Sequence, residues 1–244
     1  MSVLYDNESV KMLRANWQVD AYEAFVNKML HKQEKFPCVP AIQGLLANEL
    51  RFGFIEHASL ETMGTQFAQL LTEYNAIARE TGNYAALIVF CGPGKENSIE
   101  AYEETFWRLL EETTSLDEVP WPEAIPHDPH HHAWEFCFGQ EPYFVYCATP
   151  LHEMRQSRYF PYLMFALTPR WVLTQFNENK KRAEKMSKHI RERLVAYDHA
   201  PIHPDLNQYG NSDNHEWKQY FLRDDEQRLS KCPFHHLWTE QKQS

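Results

Sequence analysis

An imidazole, a carboxylate and two guanidiniums fall together in Thr149-Pro150-Leu151-His152-Glu153-Met154-Arg155-Gln156-Ser157-Arg158. Thr before Pro reads as an N-cap followed by the first helical residue, which predicts a short helix after a strand, with His152 in its opening turn. The positive end of a helix disfavours imidazolium, so His152 is expected neutral, with a lone pair for a metal ion or for proton abstraction. Arg155, three residues on, shares that side of the turn, and both it and Arg158 can pair a carboxylate. The same side chains can equally hold a loop through ordinary hydrogen bonds.

A second group, His127-Asp128-Pro129-His130-His131-His132, lacks the fixed spacing of HExxH. Neighbouring side chains of an extended segment point opposite ways, so a solvated loop is expected there. The five cysteines (Cys38, Cys91, Cys137, Cys147, Cys232) are odd in number and without CxxC spacing, which argues for reduced thiols over a disulfide frame or zinc ribbon. Cys38 sits in a rigid turn between Pro37 and Pro40, and Cys232-Pro233 precedes His235 and His236. Either thiol is a candidate metal ligand, although a free cysteine is commonly a small buried hydrophobe. Phe90-Cys91-Gly92-Pro93-Gly94-Lys95 fails the GxxxxGK[ST] pattern of a phosphate loop, and neither GxGxxG nor GxSxG occurs.

The elements that must position these groups follow from periodicity. Tyr22, Phe25, Val26, Met29 and Leu30 mark a first helix, and Phe36-Pro37-Cys38-Val39-Pro40 predicts an ordered turn after it. Glu49 to His57 reads as a strand with Leu50, Phe52 and Phe54 on one face and Arg51 on the other. Ser59 caps a long helix ending at Gly82, Tyr84 to Cys91 is a buried central strand, and Asn97 or Ser98 opens another helix. Trp134, Phe136 and Phe138 alternate on a strand that turns at Gly139-Gln140 and returns through Tyr143 to Cys147; a third strand lies around Tyr162 to Leu167. The C-terminal third is expected to be mostly helical, with Ala183, Met186, Ile190, Leu194 and Tyr197 as one buried stripe. An α+β domain with a mixed, largely antiparallel sheet packed by helices follows, a single domain over 1–244 with residues 1–15 and 236–244 peripheral.

The 244 residues carry 34 acidic against 24 basic groups, a formal charge of −10 that argues against nucleic acid as a partner. The basic run Lys180 to Arg193 interleaves Glu184 and Glu192 and reads as a solvated helix face. No apolar run approaches the roughly 20 residues of a membrane span. The opening MSVLYDNESV has no signal-peptide core, so a soluble cytoplasmic protein is expected.

Several segments in order resemble the YqcI/YcgG family: Phe36-Pro37-Cys38, Leu50-Arg51-Phe52, Phe106-Trp107, Pro120-Trp121-Pro122, Trp134-Glu135-Phe136-Cys137-Phe138, the Thr149 to Arg158 motif, Thr168-Pro169-Arg170, Tyr209-Gly210, Glu216 to Tyr220 and Cys232-Pro233-Phe234. Val-Pro-Ala after Cys38 departs from the family pattern. The resemblance implies a haem-dependent monooxygenase that N-hydroxylates a guanidine- or amine-bearing, amino-acid-like small molecule, using a non-covalent b-type haem, O2 and an external electron donor, an unidentified reductase. There is no CxxCH for covalent attachment. On that reading His152 is the axial iron ligand, with Cys38 the runner-up, and a thiolate would push more charge onto the iron. Arg155, Arg158 and Arg51 would pair haem propionates or a substrate carboxylate, Glu135 would meet a cationic substrate, and Trp134, Phe136 and Phe138 would wall the ring. The alternatives are a haem sensor or carrier without turnover and a cofactor-free interaction protein. A homodimer stays open.

Overall fold

The computed structural model, described over residues 3–234, holds one five-stranded sheet in the order β1-β2-β5-β4-β3. The strands are β1 (Leu50–Ile55), β2 (Ala86–Cys91), β3 (Phe136–Phe138), β4 (Glu141–Ala148) and β5 (Met164–Pro169). Only β1 and β2 pair in parallel; β2–β5, β5–β4 and β4–β3 are antiparallel. The fold is α+β with a mixed, mostly antiparallel sheet, as the sequence predicts.

Each element has a local cause. Every residue of β2 is buried, which suits an interior strand covered on both faces. It is reached from β1 through α3 (Leu60–Thr81), whose N-cap Ser59 accepts the Thr62 amide. Ser98 caps α4 (Ile99–Ser115) in the same way, by accepting the Ala101 amide. The β3–β4 hairpin turns on Gly139 and Gln140, both at positive φ (58° and 64°), the pair of left-handed residues a two-residue hairpin loop needs.

The sheet separates two apolar layers. On one face α3 and α4 pack Phe67, Leu71, Phe106 and Leu110 against Leu87, Val89, Val145 and Phe165, together with the C-terminal Trp217, Tyr220 and Phe234. On the other, α1 (Asn16–Leu30) and α2 (Val39–Leu46) lay Phe25, Met29 and Leu45 over Leu50, Phe52, Ile88 and Phe90. The helices α5 (Arg170–Asn177) and α6 (Lys180–Tyr197) follow β5 directly.

Three expectations change. The proline-rich turn at Cys38 leads straight into α2, because Pro40 falls in its first turn, where a missing amide hydrogen costs nothing. No helix forms at Thr149-Pro150; the chain turns there, and a single 3-10 turn follows at Gln156–Arg158. The C-terminal third is helical only to Tyr197, and beyond it the described chain is irregular apart from a 3-10 turn at Glu216–Gln219. Within 3–15, Tyr5 exchanges two backbone hydrogen bonds with Phe52, and Val10 and Leu13 are buried. His235, His236 and residues 237–244 lie outside the described residues. No helix among the described residues is long and apolar enough to cross a membrane.

Candidate functional site

The ten-residue motif ties two distant stretches of chain together. Leu222 offers a carbonyl to His152 Nε2 at 2.8 Å, and a carbonyl only accepts, so Nε2 carries the proton. Nδ1 therefore accepts from the Thr149 hydroxyl at 2.8 Å. Both ring nitrogens are engaged, and burial pulls the imidazole down to about 4, so it is neutral. The sequence predicts neutrality from a helix terminus; its cause is desolvation. Arg155 donates to the carbonyls of Arg223, Pro201 and Asp225, and the amides of Glu153, Met154 and Arg155 converge on the Asp224 carboxylate. Arg158 is buried, donates to the carbonyls of Cys147, Tyr220 and Gln219, and lies 4.1 Å from the centre of the Tyr146 ring. Asp198 accepts both the amide and the hydroxyl of Ser157. These bonds make the motif a clasp between residues 149–158 and 198–225.

A cavity of about 610 Å3 opens on the sheet face that α1 and α2 cover. Its floor is β2, β5 and β4; α1 and α2 wall one side, α5 and α6 the other. The reason for a void lies in side-chain size along that face. Toward Phe52, Phe90 and Phe160 the face is filled by rings, whereas Ala86, Ala166 and Thr168 leave the rest of the floor low. Exposed Asn83, Gln175, Glu178, Asn179, Arg182 and Gln208 form the mouth.

Of the residues singled out from the sequence, Cys38 lines this cavity. It is the N-cap residue of α2 and a free thiol. Burial pushes the thiol above its ordinary value, while the Ala41 backbone amide acts in the opposite sense. The other cysteines, Cys91, Cys137, Cys147 and Cys232, are buried free thiols, and the thioethers of Met29 and Met164 also line the cavity. Trp134, Phe136 and Phe138 belong to the core on the far side of the sheet, and the rings at the cavity are instead Phe25, Phe36, Tyr84, Phe144, Tyr146, Phe176 and Tyr209. Arg51 donates to the carbonyls of Asn48 and Leu50 beside it. Glu135 is fully buried behind the cavity wall; Arg170 Nε donates to it at 2.7 Å and the Tyr209 hydroxyl donates to its other oxygen. Burial raises its carboxyl, opposed by the Arg170 guanidinium. In the histidine-rich loop, the His131 and His132 rings stack and His131 Nδ1 accepts the Ala133 amide. Among the described residues no three His, Cys, Asp or Glu side chains converge as metal ligands.

Sequence reasoning gave Phe144 and Tyr146 no part in a site, and Tyr209 only a place among the family-like segments. A signal was present: β4 is apolar on both alternations, Tyr143, Val145 and Cys147 on one side and Phe144, Tyr146 and Ala148 on the other, which calls for a covered second face.

The chain is similar to two Bacillus subtilis (strain 168) proteins. One, "Uncharacterized protein YcgG", is 49% identical over 91% of this chain and 89% of its own length. The other, "Uncharacterized protein YqcI", is 46% identical over 96% of this chain and 95% of its own. A Streptomyces lavendulae protein named "Putative N(omega)-hydroxy-L-arginine synthase DcsA" is 28% identical over 89% of this chain and 84% of its own. No solved structure matches. The YqcI/YcgG family model matches residues 22–235, from α1 through the clasp and the cavity to Phe234, and the chain belongs to that family.

Proposed function

We propose that this chain N-hydroxylates a guanidine- or amine-bearing, amino-acid-like small molecule with O2, using a b-type haem held non-covalently in the cavity. The observation that carries the reading is the cavity itself. Its volume of about 610 Å3 falls in the range of small-molecule and cofactor sites, its floor and inner walls are apolar, and a soft sulfur donor stands in its wall. The name of the Streptomyces lavendulae relative supports N-hydroxylation as the chemistry.

The lining would suit a metal that arrives with most of its ligands in place, as iron in a porphyrin does, because Cys38, Met29 and Met164 bring sulfur to the cavity and, among the described residues, no three His, Cys, Asp or Glu side chains converge. Cys38 takes the ligand role in this proposal in place of His152, whose ring nitrogens are both engaged. Against iron, Cys38 would be held as the thiolate despite its burial. Phe36, Phe144 and Tyr146 offer flat apolar contact and keep water out, and Arg182 at the mouth can pair a propionate or a substrate carboxylate. Haem bound there would supply O2 activation, with electrons from an external donor.

The experiment is a hemin titration followed by absorption, on wild type, Cys38→Ser and His152→Asn. Wild type is expected to bind, Cys38→Ser to lose or shift the ferrous–CO spectrum, and the folded fraction of His152→Asn to match wild type. No hemin uptake, or a Cys38→Ser spectrum identical to wild type, overturns this assignment. Loaded protein is then given reductant, O2 and guanidine- or amine-bearing amino acids. Bound haem with no product carrying an added oxygen supports a sensor or carrier instead.

A further inference from the structure

A file of aromatic rings runs from the cavity, past the sheet, to the protein surface on the other side. Tyr209 and Phe144 stand in the cavity wall and meet edge to face at 6.3 Å. Phe144 meets Tyr220 at 5.5 Å, and Tyr220 stacks on Trp107 at 6.3 Å. Phe234 lies 6.0 Å from Trp107 and 5.7 Å from Trp134, which stacks at 6.3 Å on Trp121, a half-buried residue of the irregular connection after α4. Tyr220 makes the passage possible: beyond the end of the three-residue β3 its carbonyl takes the Cys147 amide of β4, and its ring lies between Phe144 and Trp107.

Packing alone explains apolar rings, yet two features exceed it. Among the described residues Trp107 and Trp134 each bury an indole N–H with no hydrogen-bond partner, as Trp171 does away from the file, a cost that phenylalanine would avoid. What tryptophan adds over phenylalanine, if not a hydrogen bond, is ease of one-electron oxidation. At the cavity end, the Tyr209 phenol donates to a carboxylate that is 1% exposed. A phenol yields an electron readily only when its proton has somewhere to go, and Glu135 is placed to take it.

We propose that Tyr209 and Glu135 form a proton-coupled redox station, the inner end of an aromatic path that passes electrons from Trp121 to the cavity. Tyr209 gives one electron to an oxidised transition-metal complex at the cavity and its phenolic proton to Glu135, leaving the metal reduced by one electron, a neutral tyrosyl radical and a protonated carboxyl. An electron arriving through Tyr220, Trp107 and Trp134 restores the phenolate, which takes the proton back from Glu135. A soluble ene-diol reductant of the ascorbate type gives up one electron to refill Trp121. Each passage moves one electron from that reductant to the cavity oxidant. The biological purpose rests on the reading of the cavity as an oxygen-using site; the path does not, and its test needs no haem.

A ruthenium tris-bipyridyl photo-oxidant attached through Gln175→Cys at the cavity mouth, in a Cys38→Ser background, generates the oxidant by flash-quench in the cofactor-free protein. Wild-type aromatics are expected to yield a tyrosyl radical by electron paramagnetic resonance. Tyr209→Phe is expected to abolish it, and Glu135→Gln to lower its yield several-fold. With ascorbate in solution, Trp134→Phe, which breaks no hydrogen bond, is expected to lengthen the radical's lifetime several-fold. An unchanged radical in Tyr209→Phe overturns the station, and an unchanged lifetime in Trp134→Phe overturns the path. Both results are independent of whether hemin binds.

Discussion

Arg158→Met separates a clasp from a cofactor ligand. The buried guanidinium serves three carbonyls, and their fates on its removal differ. Tyr220 O keeps the Cys147 amide as a donor, whereas Cys147 O and Gln219 O lose their partner inside the protein. Each buried acceptor left unsatisfied costs about 1–3 kcal/mol, and methionine returns part of this by removing a desolvated charge. A net loss of about 3 kcal/mol is expected, which in a domain of this length lowers Tm by roughly 6–12 °C. Arg51→Met is the control, since among the described residues Arg51 bonds only to carbonyls beside it in the chain, and about 0.5 kcal/mol or less is expected. Thermal melts and urea denaturation read both. A Tm for Arg158→Met within about 2 °C of wild type would refute the clasp, because two orphaned carbonyls cannot cost so little in a domain this size.

Burial holds the Glu216 carboxyl at about 7, so the folded protein keeps a proton that the unfolded chain releases from about pH 4.5 upward. That stabilisation is complete below pH 4.5 and lost as pH rises through 7, while His152, pulled down to about 4, contributes stability present above pH 6.5 and lost as pH falls through 4. Glu216→Gln removes the first of these opposed effects. Its stability relative to wild type is expected to rise by about 2.5 kcal/mol between pH 5 and 8 in urea denaturation, and a pH-independent difference would count against it. Ala166→Leu raises the cavity floor: stability is expected to hold or increase by about 0.5–2 kcal/mol while hemin uptake falls, and uptake equal to wild type would place haem elsewhere.

The elements most legible in the sequence were those with local causes. Ser59 and Ser98 announce their helices, Ala86–Cys91 announces an interior strand, and Gly139-Gln140 announces a hairpin, each within a few residues. The motif at Thr149 to Arg158 was visible as a concentration of chemistry, but its partners were not. Asp198 meets Ser157 from 41 residues away, and Leu222 meets His152 from 70. Nothing in a local pattern separates a neutral histidine awaiting a metal from one bonded to a distant carbonyl. The cavity was hidden for another reason. Ala86 and Ala166 keep the alternation of buried strands, and only the placement of α5 and α6 decides whether such small residues are packed over or left facing space.

The clasp and the cavity are mechanically one object. Tyr146 lines the cavity from β4, its hydroxyl donates to the Ser157 carbonyl inside the clasp, and the Arg158 guanidinium lies against its ring. Arg158 also joins Cys147, the next residue of the strand, to Tyr220, which closes the edge that β3 is too short to cover. A side chain that never faces the cavity therefore sets the position of one of its rings and seals the sheet beneath it. The arginines and histidine of the motif carry no free donor or lone pair into the cavity, so their contribution to any chemistry there passes through Tyr146 and the β4 edge. Damage to the clasp should reach ligand binding as a loosened wall, seen as weakened affinity with an unchanged iron spectrum, whereas damage at Cys38 should change the spectrum itself.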